Sequence, residues 1–104
     1  MSYRAIYSDD AKLDAKEIVT YLAQFYASTA RSFKTKLTER VNALRDMPLS
    51  CPAYEEDPFF RRMALGDYLL FYSVDEVRKL VTVHRIFHHA RDIGRLMAEY
   101  QARE

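Results

Sequence analysis

Two apolar stripes of helical period, placed back to back with almost no chain between them, constrain this sequence more than any other feature. Ala11, Ala15, Ile18, Leu22 and Phe25 step by four, three, four and three residues. Ala30, Phe33, Leu37, Val41 and Leu44 step by three, four, four and three. Each series marks one face of an amphipathic helix. Ser8-Asp9-Asp10 supplies N-cap chemistry for the first, with acids well placed for the helix dipole. Ser28-Thr29 signals the start of the second, and Met47-Pro48 its stop. Helices joined by a residue or two fold back as an antiparallel hairpin. Each apolar face must then be covered by the other helix and by a further layer.

The rest of the chain supplies that layer. Tyr3 to Ser8 alternates, with Tyr3, Ala5 and Tyr7 on one side and Arg4, Ile6 and Ser8 on the other, as in a short strand. Pro48 to Pro58 reads as a loop carrying Cys51 and the acidic run Glu55-Glu56-Asp57. After it the period falls to two. Phe59 to Leu65 is strand-like, Gly66-Asp67 is a turn signal, and Tyr68 to Val74 alternates again. Asp75-Glu76 turns the chain into Leu80 to His88, rich in β-branched residues. Here Val81, Val83 and Phe87 compete with Leu80, His84 and Ile86 for the core face, and a bulge near Arg85 would let both sets contribute. Asp92 is a candidate cap for a last helix with Ile93, Leu96, Met97 and Tyr100 inward. The order β-α-α-β-β-β-α predicts an α+β fold: a helix hairpin on one face of a three- to four-stranded antiparallel sheet, with a short C-terminal helix. The other sheet face is expected to stay partly open.

A chain of 104 residues is one domain's worth, spanning 1–104, and folding at this size buries roughly 65% of the unfolded surface. The hydrophobic fraction of 49% and charged fraction of 30% exclude a disordered chain. A net charge of +1 excludes a globally cationic grip on nucleic acid, though not a local basic patch. The single cysteine, Cys51, forms no internal disulfide, so nothing requires an oxidising compartment. No apolar run approaches the ~20 residues that span a bilayer, and the first twelve residues carry no apolar signal core. A cytoplasmic location with no membrane partner is the expectation.

Signatures of common enzymes are missing: no Gly-rich phosphate loop, no zinc-binding Cys pair, no Gly-x-Ser-x-Gly elbow. A regular strand would put His84 and His88 on one face about 13 Å apart and point His88 and His89 to opposite faces, which is poor metal geometry. Neither metal nor cofactor is expected. A cationic group is more prominent. From Val77 to Arg95 the chain carries Arg78, Lys79, Arg85, Arg91 and Arg95 against the one acid Asp92. Arg61 and Arg62 lie on another strand of the same meander, facing opposite ways, so only one of them can belong to any one site. With Tyr68 and Tyr72 for stacking, such a surface suits an anionic ligand, a nucleic acid or an acidic peptide. Its plainer alternative is a set of solvated strand ends and surface ion pairs.

Taken in order, several of these pieces resemble the RelE/ParE superfamily of bacterial type II toxins, the plasmid-stabilisation proteins. They are Tyr7-Ser8-Asp9-Asp10-Ala11 through Asp14 and Ile18, Leu44 to Pro48, Phe60-Arg61-Arg62-Met63, Gly66 to Val74, and Arg85-Ile86-Phe87-His88-His89-Ala90-Arg91-Asp92. The resemblance spans about residues 3 to 97 and implies a toxin neutralised by a co-encoded antitoxin in a hetero-oligomer. Members of the RelE branch cut mRNA on the ribosome, whereas the ParE branch poisons DNA gyrase and cuts nothing. For the RNase course the resemblance implies Arg62 on the scissile phosphate and Arg85 or His88 as the acid/base group; the acidic loop residues Glu55 and Glu56 have the chemistry of a base, but the sequence does not place them. The alternative for His88 is a ring packed under the last helix and donating to a backbone carbonyl. The chain continues past His89 into that helix, which resembles the ParE branch and favours it. Arg61, Tyr68, Tyr72, His89, Arg91 and Arg95 are then the candidate surface for target or antitoxin. An inactive remnant that only binds antitoxin is the third alternative.

Overall fold

The computed structural model describes residues 3–103. Its first strand, β1 (Arg4–Tyr7), leads directly into helix α1 (Asp9–Ala23), where Ser8 Oγ accepts from the Ala11 N–H at 3.0 Å as the N-cap. Helix α2 (Ala27–Leu44) begins earlier than Ser28-Thr29 suggests. Its N-cap is Tyr26, which makes no side-chain cap bond. α1 therefore ends before Phe25, and that ring lies exposed against Tyr21 instead of in the core. The two helices pack as the expected hairpin.

Three strands follow, β2 (Arg61–Leu65), β3 (Tyr68–Asp75) and β4 (Leu80–His88), and then helix α3 (Ile93–Ala102). They form an antiparallel meander, and β1 adds to it in parallel beside β4, giving the order β1-β4-β3-β2. Gly66 opens the two-residue β2–β3 turn at φ +60°, a backbone region where a side chain is penalised.

A register shift settles which residues of β4 face the core. Phe71 stands opposite Arg85 but Tyr72 opposite Val83, so His84 is the extra residue of a bulge. Val81 and Val83 before it, and Ile86 after it, all reach the same core. That core lies between sheet and hairpin, with Phe33, Leu37, Val41 and Leu44 of α2 against Met63, Leu65, Leu70 and Tyr72.

The second sheet face is not open. Phe71 and Phe87 are fully buried there beneath Met97 and Tyr100 of α3 and beside Tyr54 and Phe60 of the preceding loop. Two aromatic rings of this size are stabilised by about 2–3 kcal/mol each on burial, which is why α3 docks. The sequence expectation underestimated that face because Phe71 and Phe87 lie on strands whose opposite face is also apolar.

Candidate functional site

The bulge decides the chemistry at the sheet's centre. It turns both His84 and Arg85 towards α3. His84 Nδ1 lies 2.7 Å from Tyr100 Oη and Nε2 2.8 Å from Ser73 Oγ, so the imidazole links β3 to α3. Phe60 and Tyr100 stand edge-on around the same ring. His84 and His88 consequently lie on opposite faces, contrary to the regular-strand expectation of a shared one. His88 and His89 are stacked at 4.7 Å instead of diverging, because β4 ends at His88 and the chain turns there. Among the described residues no group of His, Cys, Asp and Glu is arranged to hold a metal ion.

Arg85 crosses Phe87, its guanidinium carbon 4.6 Å from the ring centroid, and reaches α1. There its Nε and Nη2 donate to Asp14 Oδ2 and Oδ1 at 2.8 and 3.0 Å. The Asp14 carboxylate holds the Arg85 guanidinium more firmly protonated than usual, against the opposing effect of burial. Asp14 Oδ2 also accepts from the Ile86 N–H at 2.9 Å, and Ser8 Oγ donates to the His84 carbonyl at 2.8 Å. Both bonds satisfy the edge of β4 beyond the point where β1 stops.

The other candidates separate by face. Arg62 pairs with Phe71 and Arg61 with Tyr72, so the two arginines do point to opposite faces. Arg62 is exposed on the α3 side. Arg61 Nη1 donates to the Cys51 carbonyl at 2.6 Å and ties down the loop before β2. Tyr72, expected as binding surface, is fully buried and donates its hydroxyl to the Pro48 carbonyl at 2.8 Å; burial pushes its phenol pKa up. Only its aromatic ring was visible in the alternation, which fits a core strand equally well. Tyr68 is half-buried on the hairpin face between Phe33 and His88. His88 Nδ1 accepts from the Ala90 N–H at 3.1 Å. It therefore donates to no carbonyl through that nitrogen. His89, Arg91 and Arg95 are exposed at the β4–α3 junction, with Arg95 paired to Asp92 and Glu99. Glu55 and Glu56 are exposed in the loop.

Arg62 and Arg85 thus share one sheet face, and His88 stands on the other. Sequence reasoning missed Asp14 and His84 as organising groups. Asp14 gave a signal, since it follows Ala11 by three residues and so falls on the apolar stripe. His84 gave none without the bulge.

The family described as "ParE toxin of type II toxin-antitoxin system, parDE" matches residues 5–93. The chain belongs to the ParE toxin family. It is thereby a toxin of the type II toxin–antitoxin class. No curated protein sequence matches this ParE-family chain. Among solved structures it is similar to the chromosomal ParDE system of P. aeruginosa, with TM-score 0.71 and 16% identity over 84% of this chain and 96% of that one. A mutant of E. coli RelE in the free state gives TM-score 0.67 at 14% identity, over 99% and 98% of the two chains. The RelBE toxin–antitoxin complex of Mycobacterium tuberculosis gives 0.61 at 19%, over 85% and 99%. At such identities the likeness is one of fold, and it extends over both branches. No helix among the described residues of this ParE relative is long and apolar enough to cross a membrane.

Proposed function

We propose that a co-encoded antitoxin neutralises this ParE-family toxin in a hetero-oligomer, and that the freed toxin binds DNA gyrase without cutting a substrate itself. The observation that carries the target is the arrangement of the three RNase candidates. Scission of an RNA strand needs a base, a cation on the phosphate and an acid converging within hydrogen-bond reach of one phosphodiester. Arg62 and His88 face opposite sides of the sheet, and Arg85 is committed to Asp14. The packed α3 further supports the binding reading, since it leaves exposed His89 and Arg91 beside a firmly docked helix. An antitoxin partner is supported by the ParDE system and the RelBE complex among the similar folds.

Induction of this chain alone in a bacterium, with labelled thymidine and amino acids followed over the first minutes, tests the reading. Thymidine incorporation is expected to fall first. A first fall in amino-acid incorporation would move the target to the ribosome. Undisturbed growth would leave an antitoxin-binding remnant.

A further inference from the structure

β1 stops at Tyr7, but β4 runs on to His88. Beyond Val83 no strand among the described residues lies beside its outer edge. Register determines which backbone groups point there. The Ile86 N–H goes outward to Asp14, and a residue of an antiparallel ladder sends its N–H and C=O to the same side. The Ile86 C=O, and both groups of His88 two residues on, therefore point outward as well. The His88 C=O accepts from the Arg91 N–H at 3.1 Å. Among the described residues, what is left without a partner on the edge is one acceptor, Ile86 C=O, and one donor, His88 N–H.

That combination selects a direction. In a parallel ladder one residue of the incoming strand donates to residue i and accepts from residue i+2. β1 follows this rule upstream, where the Arg4 N–H donates to the Lys79 carbonyl and the Ser8 N–H to the Val83 carbonyl, each at 2.9 Å. An antiparallel strand would instead need both groups of a single residue. Ile86 and His88 each have one group already taken.

The lane is also open. A groove of about 640 Å³ lies between this edge and α1, lined by Glu17, Ile18 and Tyr21 of α1 and by Asp67, His88 and Arg91. Arg91 lies 5.9 Å from the Phe87 ring and forms no ion pair among the described residues. Its charge suits a carboxylate. Glu17 and Asp67 in the lining disfavour a phosphate backbone, and an alternating donor and acceptor at strand spacing is matched by a polypeptide.

From this geometry we infer that the lane takes an extended segment of the antitoxin, running parallel to β4 as a continuation of β1. One of its residues bonds the Ile86 carbonyl and the His88 N–H, and an acidic side chain meets Arg91. The inference rests on the antitoxin reading given above. It is tested by amide hydrogen exchange, resolved by NMR, on the full chain alone and in complex with the product of the adjacent gene. The His88 amide should exchange rapidly in the free chain and slow by about 100-fold or more in the complex. The Ile86 amide, already bonded to Asp14, is the internal control. Arg91→Glu, at an exposed position, should weaken the complex by about 10-fold. A complex that forms while the His88 amide exchanges as before overturns the lane and leaves the antitoxin reading standing. If the adjacent product does not bind, both fall together.

Discussion

Arg85 and Asp14 form a two-pronged ion pair, at 2.8 and 3.0 Å, between residues 71 apart in sequence. It fastens the end of β4 to α1 where no strand among the described residues continues the sheet. The same carboxylate satisfies the Ile86 N–H, so one side chain serves as both counter-ion and edge cap. The pair is mostly shielded from water, with side-chain exposures of 19% and 10%.

Removing one partner of such a pair strands the other. Asp14→Ala leaves a shielded guanidinium and an orphaned N–H, and should destabilise the fold by about 3 kcal/mol. Asp14→Asn keeps an acceptor for Ile86 and should cost less. Urea unfolding of both variants checks the order. An alanine variant within about 0.5 kcal/mol of the wild type would show that the pair does not hold β4 to α1.

The attachment of α3 is separable from the rest. Tyr100 stands 2.7 Å from His84 Nδ1, while Arg103 pairs with Asp10 at 2.7 Å on the surface. Tyr100→Phe keeps the ring in its aromatic cluster and loses the hydroxyl contact. It should cost about 1 kcal/mol, with faster amide exchange concentrated in α3. Arg103→Ala should cost less, because its ion pair is solvent-exposed.

The helix hairpin and the meander were legible because their periods differ and their turns carry marked residues, Gly66-Asp67 above all. The bulge at His84 was anticipated only as a way to reconcile two competing faces; its consequence, that His84 and Arg85 share the α3 side, needed the register. Tyr72 shows the opposite limit. An aromatic on an alternating strand reads equally as core or as stacking surface, and the hydroxyl's partner, Pro48, lies 24 residues away where no local pattern can indicate it. Site residues were less legible than fold for the same reason: Asp14, Arg85 and Tyr100 meet only after the helices have docked.

Alkaline pH should weaken the fold through buried phenols. Burial first, then the hydrogen bond to Glu56, pushes the Tyr54 pKa up to about 12 from the ordinary 10.0. Burial also raises Tyr72. Because the folded values lie above the unfolded ones, their contribution is complete below pH 10 and is lost as pH rises towards and through 12. Chemical denaturation at about pH 9, 10 and 11, spanning the unfolded phenol value, should show falling stability. Tyr54→Phe should flatten that fall; an unchanged slope would exclude Tyr54 as a source.

Gly66 is the first residue of the β2–β3 turn, at φ +60°, and a Cβ there would meet nothing within 4 Å. The cost of Gly66→Ala is therefore conformational and not steric. It should be about 1 kcal/mol by thermal unfolding, with the sheet register intact. A much larger loss would point to a role for the turn backbone beyond its dihedral.

Arg62 separates the two toxic mechanisms most cleanly, because its exposed side chain forms no ion pair among the described residues. Arg62→Ala should leave stability within about 0.5 kcal/mol of the wild type. If the toxin acts by binding gyrase through the β4–α3 junction, the variant still arrests growth, and charge reversal at Arg91 and Arg95 relieves the arrest. Loss of toxicity in Arg62→Ala, with folding and antitoxin affinity retained, would instead assign this arginine to a phosphate. The α3-covered face of the sheet would then be the one that meets RNA.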